Sequence, residues 1–175
     1  MSGMSGMSGN AGRDGREAPL SPATPSRILV VEDDPDIRQV LCVYLRHSGF
    51  EVFSAMDGSE AIRLIEQSAP HLIVLDLMMR PVDGWEVLHW LRAHQLASPV
   101  LVLTALYRLD EQVQGFEEGA IEYITKPTQP GKIVERIRTI LSLNAEQRTM
   151  LQRKRIDERR SIMERVEMPS DEFAL

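Results

Sequence analysis

Apolar positions along this chain fall into two rhythms that alternate from residue 27 onward. Residues 28–31, 72–75 and 100–103 are unbroken apolar runs, as expected of short strands buried on both faces. Between such runs the apolar residues recur at helical spacing. Ile37, Val40, Leu41, Tyr44 and Leu45 trace a helix that starts at Pro35 behind an Asp34 cap and closes at Ser48-Gly49. "EVFSA" predicts a second strand, and "SEAIRLIEQ" a helix ended by Pro70. "HLIVLD" is a third strand, followed by a loop to Gly84 and a helix that turns Trp85, Leu88 and Leu91 inward. "PVLVLTA" predicts a fourth strand, "DEQVQGFEEG" a weaker helix, "EYITK" a fifth strand and "KIVERIRTILSL" a fifth helix.

Strands and helices therefore alternate five times over residues 27–143. That order predicts an α/β domain, a doubly wound parallel five-stranded sheet with five helices on its two faces. Residues 1–26 read differently: "MSGMSGMSG" and "APLSPATPS" are small, flexible or Pro/Ser-rich, the composition of a disordered leader. The methionines of the repeat also leave the start codon open. Residues 144–175 read as a charged, helical tail without a separate output domain.

Composition narrows the setting. Hydrophobic residues are 43% and charged residues 26% of the 175, enough for a packed core. The net charge of -6 opposes bulk attraction to nucleic acid or anionic membrane. The single cysteine, Cys42, forms no internal disulfide and has no metal-ligand spacing, which suits a reducing compartment. No apolar run reaches the roughly 20 residues of a membrane span, and the start lacks a signal segment. A soluble cytoplasmic protein is expected.

In an open parallel sheet, ligands bind beyond the carboxyl ends of the strands, where the strand order reverses. The residues at those ends are Glu32 and Asp33 after the first strand, Asp76 after the third, Thr104 on the fourth and Lys126 after the fifth. Any one has an ordinary reading. An Asp after a strand is often a turn former or cap, as Asp34 is expected to be, and Lys126 alone could be a surface lysine. Together they place three carboxylates, an ammonium and a hydroxyl on one edge. Carboxylates so crowded raise one another's pKa unless a cation neutralises them. An all-oxygen set of this kind suits Mg2+, with room left for a phosphate oxygen.

The motifs "ILVVEDDPDIR", "LIVLDLMM" with "DGWEVL", "VLVLTA" and "YITKP" stand in an order and at a spacing that resemble the receiver domain of two-component response regulators. The resemblance covers Arg27 to about Leu143 and implies the flavodoxin-like fold of the chemotaxis response regulator. It implies that Asp76 is the phosphoacceptor and that Glu32, Asp33, Asp76 and the backbone carbonyl of Met78 hold Mg2+. Lys126 matches the phosphate-binding lysine, with a cis bond to Pro127. Thr104 matches the switch hydroxyl and Tyr123 the aromatic that follows it, although Tyr123 also reads as a half-buried strand aromatic. The implied partners are a sensor histidine kinase or phosphotransfer protein and an unknown downstream protein. A homodimer is open, and membrane or nucleic acid is not expected. The face of the fourth helix, fifth strand and fifth helix is the implied output surface. The resemblance also implies that the chain promotes its own phosphorylation without being a turnover enzyme on an external substrate.

Two departures qualify the match. "RPV" at 80–82 shifts the expected proline by one position, which puts the loop conformation in question, and Arg80 is a solvated loop residue by default. Met78 and Leu106, two residues after Asp76 and Thr104, cannot orient an attacking water by strong hydrogen bonds. A long-lived phosphorylated state is the expectation.

In the tail, Asn144 and Gln147 either cap a new helix or lie within a continuing one. Arg153–Asp157, Lys154–Glu158 and Arg160–Glu164 are spaced as i,i+4 pairs. The apolar positions hold no clean heptad, so a solvent-exposed helix competes with a dimer or partner helix. Among rival functions, a pseudo-receiver is opposed by the intact Asp76, Asp33, Thr104 and Lys126. An aspartate phosphatase is opposed by Met78, where such an enzyme commonly has a second aspartate, and a Rossmann site by the lack of a Gly-rich loop.

Overall fold

The computed structural model describes residues 24–105 and 108–167. The expectations for residues 1–23, for Leu106 and for residues 168–175 lie outside them. Five strands, β1 (Arg27–Val31), β2 (Glu51–Ala55), β3 (Leu72–Leu75), β4 (Val100–Thr104) and β5 (Ala120–Thr125), form one sheet in the order β2-β1-β3-β4-β5. Every neighbouring pair is parallel. The helices between them are α1 (Pro35–His47), α2 (Gly58–Ser68), α3 (Gly84–Ala93) and α4 (Leu109–Glu117), and α5 (Pro130–Ser142) and α6 (Ala145–Glu167) follow β5. This is the flavodoxin-like arrangement expected, with the C-terminal helix added.

The chain leaves β1 toward β2 on one side, then crosses back to β3 on the other. That reversal opens a crevice above the adjacent ends of β1 and β3. The central strands are apolar throughout because both faces are covered. Val31, Ile73, Leu88 and Phe116 belong to the core on one face, and Ile28, Leu45, Leu101 and Ile137 to the core on the other.

Acidic residues at the helix starts are sorted by geometry. The side chain of Asp34 accepts hydrogen bonds from the N–H groups of Asp36 and Ile37 (2.9 and 3.0 Å), so it is a cap, as expected. Asp57 and Asp83 do the same for Glu60 and Glu86.

Two segments differ from the sequence expectation. On α1 the sheet buries Leu41, Cys42 and Leu45, while Ile37, Val40, Val43 and Tyr44 stay exposed. The apolar stripe is wider than the surface available to cover it. The tail is a separate helix closed by a reciprocal cap: the Asn144 N–H donates to Gln147 Oε1, and the Gln147 N–H donates to Asn144 Oδ1, both at 2.9 Å. It is not simply exposed, because α6 lies against α4 and β5. Of the three i,i+4 pairs, Lys154–Glu158 forms at 3.9 Å, whereas Arg160 reaches Glu117 on α4. Among the described residues no helix is long and apolar enough to cross a membrane.

Candidate functional site

Asp76 follows β3 directly and is 5% exposed. Its N–H donates to the Val31 carbonyl (3.0 Å), which continues the β1–β3 ladder by one step and aims the side chain into the crevice. The Met78 N–H donates to Asp76 Oδ1 (3.0 Å), and Lys126 Nζ donates to Asp76 Oδ2 (2.9 Å). Both carboxylate oxygens are therefore held.

Gly84 lets the loop after Asp76 close on itself. Its N–H donates to the Leu77 carbonyl (3.2 Å). A Cβ at this position would overlap the Asp76 carbonyl oxygen and sit 2.7 Å from Leu77 Cα. Only glycine allows the start of α3 to approach the acceptor loop this closely. The peptide before Pro81 in that loop is cis, as is the one before Pro127; the second matches the expectation, and the first does not appear in it. Arg80 is exposed.

Glu32 is 2% exposed. Its Oε2 accepts from Lys126 Nζ at 2.6 Å, and its Oε1 accepts from the Asp34 N–H at 3.3 Å. Asp33 is exposed at the rim. One ligand oxygen from each of Glu32, Asp33 and Asp76 lies within 4.8 Å of the others. Among the described residues, three carboxylates thus share the pocket with one ammonium, that of Lys126. Burial pushes the Glu32 carboxyl above its ordinary value, although Lys126 pulls the other way. Burial also works against the charge on Lys126, but Glu32 and Asp76 outweigh it and raise its pKa. The donor set is all oxygen, acidic and reachable from solvent at Asp33, which fits a hard divalent cation.

Thr104 is fully buried at the end of β4, where its carbonyl accepts from the Lys126 N–H at 2.9 Å. Tyr123 is 9% exposed and lies inward beneath α4. Its ring is 5.3 Å from that of Phe116, and its hydroxyl rests where a side chain on Gly115 would stand. Burial and the nearby Glu111 push its phenol pKa upward. The structure so brings Glu32, Asp33, Asp76 and Lys126 into one pocket, puts Thr104 beside Lys126 along the sheet, and places Tyr123 further down β5.

Arg38 is the residue that sequence reasoning missed. Its Nη1 donates to the carbonyls of Glu32 (2.6 Å) and Asp33 (3.1 Å), tying α1 to the acidic loop. Its partners are backbone carbonyls, so no sequence signal marks it.

The family model described as the response regulator receiver domain matches residues 28–138. The DNA-binding dual master transcriptional regulator RpaA of Synechocystis sp. is 40% identical over 117 residues, 66% of this chain and 48% of that protein. The alkaline phosphatase synthesis transcriptional regulatory protein PhoP of Bacillus subtilis is 43% identical over 116 residues, again 66% and 48%. The chain spans about half the length of these relatives. Among solved structures, the receiver domain of the Francisella response regulator 1452 is similar with a TM-score of 0.64 at 31% identity, covering 66% of this chain and 96% of that one. The BeF3-activated N-terminal receiver domain of Klebsiella pneumoniae RstA is similar with a TM-score of 0.63 at 31% identity, covering 67% and 100%.

Proposed function

The chain belongs to the response regulator receiver family, and from that premise we propose that Asp76 accepts a phosphoryl group from a phosphohistidine and thereby changes which proteins the domain binds. The observation that carries this reading is the acceptor's setting: a nearly buried carboxylate held on both oxygens, in a pocket with more carboxylate than cation. An Asp76 oxygen attacks phosphorus, the nitrogen–phosphorus bond breaks, and the imidazole leaves with a proton, giving an aspartyl phosphate. Lys126 stays within reach of the new phosphoryl oxygens, and the Met78 N–H orients the attacking carboxylate.

Mg2+ is the cofactor we assign, held by Glu32, Asp33, Asp76 and the Met78 carbonyl. When bound it offsets charge on the transferring group. Arg38 fixes the backbone that presents two of those acids. Thr104, buried beside Lys126, is the hydroxyl we assign to follow the phosphoryl group, with Tyr123 responding. The chain promotes this transfer on itself and turns over no external substrate.

The donor has to dock beside the pocket. An apolar groove of 620 Å³, lined by Ile37, Val40, Leu103, Pro127 and Ile133, reaches Lys126. The exposed apolar stripe of α1 forms one wall of it, which suits a helical histidine kinase or phosphotransfer protein. A cytoplasmic setting fits such a donor. RpaA is named as DNA-binding, which stands at odds with the expectation that nucleic acid is no partner. A mobility-shift assay with the phosphorylated chain tests that point.

The main test is mass spectrometry after a small-molecule phosphodonor with Mg2+. One phosphoryl mass is expected on the native chain and none on Asp76→Asn. No gain on the native chain with either a small donor or the cognate kinase would establish the pseudo-receiver instead.

A further inference from the structure

The side chains that hold α6 in place converge on the immediate neighbours of Tyr123. Arg155 Nη2 donates to Glu122 Oε2 at 3.0 Å, while the other oxygen of Glu122 accepts the Tyr123 N–H at 3.2 Å. A single buried carboxylate therefore joins α6 to the backbone of Tyr123. Gln152 Nε2 donates to the carbonyls of Phe116 and Ala120. Phe116 is the aromatic against which Tyr123 packs. Arg159 Nε donates to the buried Gln112 Oε1 at 2.8 Å, and Ile156 packs on the core cluster that contains Tyr123.

The contact is specific but weakly anchored. Met150, Ile162 and Val166 remain exposed, so α6 brings little apolar surface to the face it covers. Its grip is mostly polar, and its outer pair, Arg160–Glu117, is solvated and contributes little. It is also imperfect, since the buried Arg155 Nε has no hydrogen-bond partner among the described residues. Helical stability in proteins comes mostly from tertiary packing of one face, so covering α4 and β5 and staying helical go together.

We propose that the α4–β5 face is a binding surface for an arginine-bearing helix, that α6 occupies it in the resting chain, and that phosphorylation at Asp76 releases α6. The proposal rests on the receiver reading. Tyr123 meets Glu122 through its N–H and Phe116 through its ring, and α6 bonds to the Glu122 carboxylate and the Phe116 carbonyl. Release exposes Glu122 and Gln112 and unpairs the already exposed Glu117 beside apolar surface, the complement that Arg155, Arg159 and Arg160 now satisfy.

The test is hydrogen exchange by mass spectrometry on the full chain, with and without Mg2+ and beryllofluoride. Phosphorylation is scored separately by intact mass with a phosphodonor. Amides of α6 are expected to exchange at least tenfold faster with beryllofluoride, and to show no change in Asp76→Asn. Arg155→Ala is expected to raise α6 exchange already in the resting chain while leaving phosphoryl uptake intact. Uptake of a phosphoryl group with unchanged α6 exchange overturns the release and leaves the receiver reading standing. If no phosphoryl group is taken up, the receiver reading falls and the release falls with it. An unchanged α6 in Arg155→Ala overturns the assignment of the surface.

Discussion

Two charged sites lie four residues apart, one on β5 and one just beyond it, and they are built on opposite plans. Just past the strand, Lys126 meets Glu32 and Asp76 in a pocket with three carboxylates. Within the strand, Glu122 meets Arg155 on α6, and Arg155 also takes Glu158. Among the described residues the first site is short of positive charge, and it is open at Asp33. The second is closed by the chain itself. Buried charge needs a partner in both places, but only the first leaves part of that requirement to something from solution. A surplus of one sign at a strand end marks a place where a ligand binds. A matched pair under a helix marks a contact within the chain.

The sharpest way to break that comparison is to remove the cation from each site in turn. Lys126→Met leaves Glu32 and Asp76 buried together, and is expected to destabilise the fold by about 3 kcal/mol. Urea unfolding measures it, and millimolar Mg2+ should recover most of the loss. A variant equally unstable with and without Mg2+ would show that the acids do not share a cation. At the other site the effect is smaller. Arg155→Ala and Glu122→Gln should each cost about 1–2 kcal/mol, with no response to Mg2+. In the double variant the losses should not add, because both remove one interaction. Additive losses would mean that α6 is held elsewhere.

The fold and the pocket were legible in the sequence for one physical reason: strands buried on both faces leave continuous apolar runs, and function gathers where those runs stop. Asp76 after "LIVL", Glu32 and Asp33 after "ILVV", and Lys126 after "YIT" are polar residues at the ends of hydrophobic strands. The placement of α6 was not legible, because it docks through arginines and a glutamine whose spacing looks like that of a solvated helix. Its partners Glu122 and Gln112 read as ordinary surface residues until tertiary structure buries them. The same limit hid the exposure of Val40 and Tyr44, since periodicity shows that a stripe is apolar but not how much of it the sheet can cover. Arg38 was missed because its contacts go to backbone carbonyls, which have no sequence signature.

Met78 tests the open side of the comparison at its rim. Its N–H holds Asp76 Oδ1, so the backbone already supplies what positions the acceptor. The side chain is 58% exposed and its thioether is only a weak acceptor, unable to order a water for attack on an aspartyl phosphate. Met78→Asn puts a donor and an acceptor at that rim without touching the carboxylates. We expect the phosphoryl group to be lost about three- to tenfold faster, roughly 1 kcal/mol in the barrier, with little change in stability because the site is exposed. The decay of the phosphorylated mass over time measures both forms. A native lifetime of seconds, or equal lifetimes in the two, would mean that water reaches the phosphoryl group by a route Met78 does not border.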